Sequence, residues 1–146
     1  MPSLRDELVD YFEERFGVEP SFWDDYAAYE KSGSLWVVSE EVSRREGFET
    51  AGIRALRRLR IGLKPTTYVL QFLGEELGSN VVDLDEEEFR RVVLNREVVS
   101  SDFSRGYVAL RFRGEVVGCG LVSGEGLETQ VPKSRAELLE GVFSLD

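Results

Sequence analysis

The chain has 146 residues, 42% of them hydrophobic, and a formal net charge of −10; that length suits one ordinary domain or two small lobes around a packed core. Histidine is absent, which removes the serine triad, every His-containing zinc site and the commonest general base near neutral pH. No apolar run is long enough to span a membrane, and MPSLRDELVD starts acidic where a signal peptide starts basic, so the expectation is a soluble, cytoplasmic protein.

Ser3 is placed to cap a first helix that carries Leu4, Leu8, Tyr11, Phe12 and Phe16 on one face, with Gly17 closing it. Pro20 restarts the chain. Phe22, Trp23, Tyr26 and Tyr29 then form an aromatic group, read here as rings that cover the core from a short helix, although such rings can also stack on bases. Lys31-Ser-Gly33-Ser is a turn, and Leu35 to Val38 is a central strand by its β-propensity.

Between Arg44 and Lys64 the chain carries seven basic residues (Arg44, Arg45, Arg54, Arg57, Arg58, Arg60, Lys64) against two acids (Glu46, Glu49), a local net of +5 in an acidic protein. Such an island points to a polyanion contact. Within it, Ile53 to Ile61 reads as a strand with Ile53, Ala55, Leu59 and Ile61 on the apolar face and Arg54, Arg58 and Arg60 on the other. Arg57 then falls on the apolar side and needs a partner. Lys64-Pro65 breaks the strand, and Thr66 or Thr67 caps a helix through Tyr68 to Leu73.

Ser79 to Asp83 is a further strand, after which Asp85 and Glu88 form a capping box for a helix with Glu86 and Glu87 in its first turn and Arg90 and Arg91 near its end. The capping explains these acids without catalysis. Gly106 to Arg113 and Val116 to Val122 make a hairpin about Gly114-Glu115, with Val108, Leu110 and Phe112 facing the core and Gly118 and Gly120 permitting close approach. Cys119, the single cysteine, lies in VVGCGLV and reads as a small buried strand residue. Ser134 and Glu137 form a second capping box, for a helix from Arg135 to Glu140 ended by Gly141.

Taken together, GIRALRRLRIGLKPTTYVLQFLG, SNVVDLDEEEFRRVVLNREV, GYVALRFRGEVVGCGLV and QVPKSR resemble the C-terminal RNA-binding portion of RsmF-type and archaeal Nop/Sun-type RNA cytosine methyltransferases. The likeness runs from about Leu35 to Arg135, and its sharpest points are Leu63 to Thr66, the Gly-Tyr-Val start at Gly106 and Pro132 to Arg135. It implies an α+β fold: a small N-terminal α/β lobe over residues 1–77, then a PUA-like mixed β-barrel over 78–146. The glycine-rich S-adenosylmethionine site and the proline-cysteine catalytic element of that family are missing from this sequence.

The function expected on this basis is a stand-alone, non-catalytic RNA-binding module, not an enzyme and without a cofactor or metal, accessory to rRNA or tRNA modification or to ribosome biogenesis. Its partner is structured RNA, with a methyltransferase or ribosomal protein as a candidate second partner; neither DNA nor a membrane is expected. Arg54, Arg58, Arg60 and Lys64 are the candidate phosphate contacts, and Arg105, Arg111, Lys133 and Arg135 a second basic edge. The rival expectation is a protein-binding adaptor of the same fold, whose acidic helices dock a basic ribosomal or methyltransferase partner.

Overall fold

The computed structural model describes residues 3–48 and 51–145. The fold is α+β with two four-stranded sheets, and the chain divides into two compact units, Met1–Ser79 and Asn80–Asp146, each holding one sheet.

In the first unit, helix α1 (Leu4–Phe16) opens on the expected cap: Ser3 Oγ accepts from the Asp6 amide, and the Asp6 carboxylate accepts from the Ser3 amide. It closes on Gly17 at φ +64°, a left-handed position that suits glycine. Leu8, Val9, Phe12 and Phe16 are buried beneath it. A single 3₁₀ turn, Pro20–Trp23, buries Trp23 against Phe12. The expected short helix stops there, because Tyr26 to Lys31 is extended and forms β1.

Strands β1 (Tyr26–Lys31), β2 (Ser34–Ser39), β3 (Ile53–Leu59) and β4 (Gly62–Pro65) make an antiparallel sheet in chain order. Ser32 and Gly33, both at positive φ, form a two-residue hairpin turn that matches the strand twist. A one-turn helix, α2 (Glu40–Ser43), leaves β2. Pro65 does not break β4. It sits on the outer strand, opposite Leu56, where a missing N–H costs little. Helix α3 (Thr67–Leu73) follows, capped by Thr66, whose Oγ1 accepts from the Val69 amide.

In the second unit, β5 (Val81–Leu84) runs parallel to β6 (Gly106–Phe112), and β7 (Glu115–Ser123) and β8 (Gly126–Thr129) follow antiparallel. Val99 exchanges two backbone hydrogen bonds with Leu127 on the outer side of β8. Residues from β5 and from this β8 edge line one cleft, so the sheet curls. Val108, Leu110 and Phe112 are buried, as the alternation requires. Gly120 makes room for the first two of these and for Leu127: a Cβ there would lie 3.1 Å or less from Leu127, Leu110 and Val108. Cys119 is buried on the same strand.

The capping box at Asp85 forms as expected, and α4 (Glu86–Phe89) runs on into a π-helical turn, Arg90–Leu94. The last helix differs. Helix α5 (Lys133–Val142) starts from Pro132, not Ser134, and no side chain caps it. The Pro132 carbonyl accepts the Ala136 amide at 2.9 Å, which begins the helix before the Ser134 hydroxyl could act as cap. Gly141 does not end it, because the Phe143 amide reaches Leu139 and the Phe143 ring packs on Phe89 and Phe112.

Candidate nucleic-acid interface

The decisive local feature of the first sheet is a β-bulge. Leu35 pairs with Leu56 and Ser34 with Arg57, but the next residue along β2, Trp36, pairs with Arg54, so Ala55 is the extra residue. Because cross-strand partners share a face and alternation has a period of two, the bulge reverses the facing of everything before it. Arg54 and Arg57 therefore lie on one face, and Arg58 on the other. The expectation that Arg54, Arg58 and Arg60 share a strand face is corrected accordingly.

On the first face, Lys31, Ser34, Arg57 and Lys64 form one row across all four strands. The next row is Tyr29, Trp36 and Arg54. Arg54 Nε donates to Ser34 Oγ at 2.8 Å, which both fixes the guanidinium and satisfies a fully buried hydroxyl. The Lys31 ammonium sits 5.2 Å from the centre of the Trp36 ring. Tyr29 stacks beside Trp36 and is held by Phe48 and by its own hydroxyl, which donates to the Ala51 carbonyl at 2.6 Å. Arg57 is exposed and, among the described residues, makes no ion pair. This arginine, which the sequence pattern assigned to the apolar side, is an exposed cation of the face.

Arg58 occupies the opposite face, the one facing α1. Its guanidinium donates to both oxygens of Glu7 on α1, at 2.8 and 2.7 Å, and to Glu30 on β1 at 3.1 and 3.4 Å. The Arg58 hydrogen bonds hold the Glu7 carboxyl below its ordinary range, against the opposing effect of burial, and the two carboxylates make Arg58 still harder to deprotonate. It pins α1 to the sheet. Arg60 is at the hairpin tip with Ile61, and Ile61, assigned by alternation to an apolar face, is 84% exposed there. Arg44 and Arg45 pair with Glu40 and Glu41 one helical turn back, while Glu49 lies outside the described residues.

The second unit treats its cations differently. Arg111 makes a bidentate pair with Asp83 at 2.6 and 2.9 Å, which lowers the Asp83 pKa chiefly through those hydrogen bonds. Arg113 joins Glu86. Arg105 lies against Gly124, Lys133 is exposed in the first turn of α5, and Arg135 is half-buried with an Nε that has no partner among the described residues. These positions are spread over β6, the preceding loop and α5. The cleft of about 310 Å³ in this unit is lined by Val82, Leu84, Val92 and Leu127 with Glu88 and Asp102, and its one arginine, Arg91, is bonded to Glu97. With Ser100 and Ser101 also in its lining, the cleft is of mixed polar and apolar character and carries two carboxylates.

A family model described as a family of unknown function (DUF7122) matches residues 2–52, less than half of the chain. The match covers α1, β1, β2 and α2, including Lys31 and Trp36, and stops before Arg54, Arg57 and Lys64. A comparison with curated proteins found no match. No helix among the described residues is long and apolar enough to cross a membrane.

Proposed function

We propose that this chain is a non-catalytic RNA-binding module whose contact surface is the open face of the first sheet. The observation that carries the reading is the row Lys31, Ser34, Arg57, Lys64, which has no acid in it and is flanked by Arg54 and Trp36, in a protein of net charge −10. Cations in register across a sheet, next to an aromatic ring, suit a nucleic-acid strand laid across the strands: the cations meet phosphates and the ring meets a base. On this reading Arg54, Arg57 and Lys64 contact phosphate, and Arg58 and Arg111 are structural. The second unit is read as a PUA-like barrel, a view supported by its parallel β5–β6 pair and by the curl that brings β5 and β8 to one cleft. The natural setting is accessory work in rRNA or tRNA modification or in ribosome assembly.

The test is binding of a structured RNA at several salt concentrations. Counterion release predicts a steep, linear fall of log affinity with log salt, and the slope should drop by about one for each cation removed. A variant carrying Lys31→Ala, Arg57→Ala and Lys64→Ala should lose most of the binding. Retention of parental affinity by that folded triple variant refutes the assignment of the face.

The adaptor reading draws on a different surface. Asp10, Glu13 and Glu14 of α1 and Glu87 of α4 are exposed, and such acidic faces suit a basic protein partner. Absence of salt-sensitive RNA binding, together with capture of a basic ribosomal protein through α1, would favour it.

A further inference from the structure

We infer that the pocket beside Trp36 holds one unpaired nucleobase, so that the first sheet reads single-stranded or looped RNA in preference to duplex; this rests on the RNA-binding reading above and names its ligand class. The pocket has a volume of about 420 Å³ and is lined by Trp36, Gly52, Ile53, Arg54 and Tyr68. That volume lies in the range of sites that bury a small planar ligand.

Its walls are of two kinds. Trp36, in the middle of β2, is half-buried and supported laterally by the near-parallel ring of Tyr29, so its orientation is set without the ligand. Tyr68, in the first turn of α3, is 69% exposed although its helix is anchored by the Thr66 cap, whose hydroxyl also donates to the Arg54 carbonyl. The wall at Gly52 is bare backbone: φ is +98°, and a Cβ there would lie 2.4 Å from the Val37 carbonyl oxygen. An exposed tyrosine and a half-buried tryptophan thus line one open pocket, and aromatic faces left accessible in this way are the kind on which a planar ring stacks.

Charge decides what that something is. Aromatic walls alone suit either a cation or a planar base. Here Arg54 lines the pocket, Lys31 stands over the Trp36 ring, and no acid is among the described lining residues. A quaternary or methylated ammonium would meet two like charges. A nucleotide would meet an aromatic wall for its base and a guanidinium for its phosphate. Arg54 is suited to the second task because its Nε is already committed to Ser34, which leaves the terminal nitrogens oriented. Arg57 and Lys64, in the adjoining row, continue the path for flanking phosphates. Bases within a duplex are stacked on each other and unavailable to such a pocket.

The experiment uses the whole chain and two probes, an oligo(U) RNA of about 12 nucleotides, within the usual span of one single-strand site, and the same strand annealed to oligo(A). The protein has two tryptophans, and Trp23 is 1% exposed, so fluorescence quenching on addition of RNA reports Trp36. The expected result is quenching by the single strand, at least tenfold tighter binding of it than of duplex, and a loss of about tenfold in Tyr68→Ala, the usual worth of one stacked base. Tyr68 is exposed, so this variant folds if Trp36→Leu does not. Salt-dependent binding that is equal for both probes, unquenched and unchanged in Tyr68→Ala, overturns the base pocket and leaves the RNA reading intact. No salt-dependent binding of either probe overturns both.

Discussion

Arg57 and Arg58 are sequence neighbours with opposite consequences, and replacing each by alanine separates contact from architecture. Arg58 holds two half-exposed carboxylates, one through a bidentate pair with Glu7 and one through Glu30. Exposed ion pairs are each worth roughly 0.2–1 kcal/mol, so two pairs, one of them bidentate and joining α1 to β3, place the cost of Arg58→Ala at about 1–2 kcal/mol. Arg57 has no such partner among the described residues, and an exposed change of this kind stays within about 0.5 kcal/mol. Urea unfolding measures the first quantity, and RNA affinity across a salt series the second. Arg58→Ala should lower the unfolding midpoint and leave affinity and salt slope unchanged, because its charge is already compensated. Arg57→Ala should leave the midpoint in place, weaken RNA binding and reduce the slope by about one. The crossed result, a destabilised Arg57→Ala or an RNA-defective but stable Arg58→Ala, would refute the facing assigned by the bulge.

Four further outcomes follow from the packing and the ion pairs. Gly120→Ala should cost roughly 1–3 kcal/mol, since its new methyl is forced against Val108, Leu110 and Leu127; an unchanged midpoint would mean that β7 relaxes freely. Phe89→Ala removes a ring stacked 4.4 Å from Phe112 and touching Phe143, and should cost about 3–5 kcal/mol in thermal or urea unfolding. Cys119→Ser should lower stability by about 1 kcal/mol, because a buried thiol becomes a hydroxyl, with RNA affinity unaltered; lost binding in a folded variant would contradict a purely structural role. Glu7 and Asp83 are both held below their ordinary pKa values of 4.5 and 3.8, so the stability they add is complete above those values and is lost as pH falls through the lower folded ones. The difference in melting temperature between the parent and Arg111→Ala should accordingly shrink below about pH 4, and a difference that is constant with pH would remove the Asp83 pair as its source.

Local signals in the sequence determined what depends on neighbours along the chain. Ser3, Thr66 and Asp85 each cap a helix because a short polar side chain reaches amides three residues on. The Ser32-Gly33 turn, the hairpin of β6 and β7, and the core face at Val108, Leu110 and Phe112 were legible for the same reason: turn chemistry and a period of two are written in consecutive residues. Ser134 and Gly141 misled because a proline backbone and the packing of Phe143 outweighed a cap and a stop. The facing of the arginines was decided only by tertiary structure. A single extra residue at Ala55 reversed the alternation, and the partners of Arg58 came from 51 and 28 positions away. Composition located the cationic island; the bulge and the docking of α1 decided that Arg58 is neutralised by Glu7 and Glu30, while Arg54 and Arg57 lie on the face of Trp36.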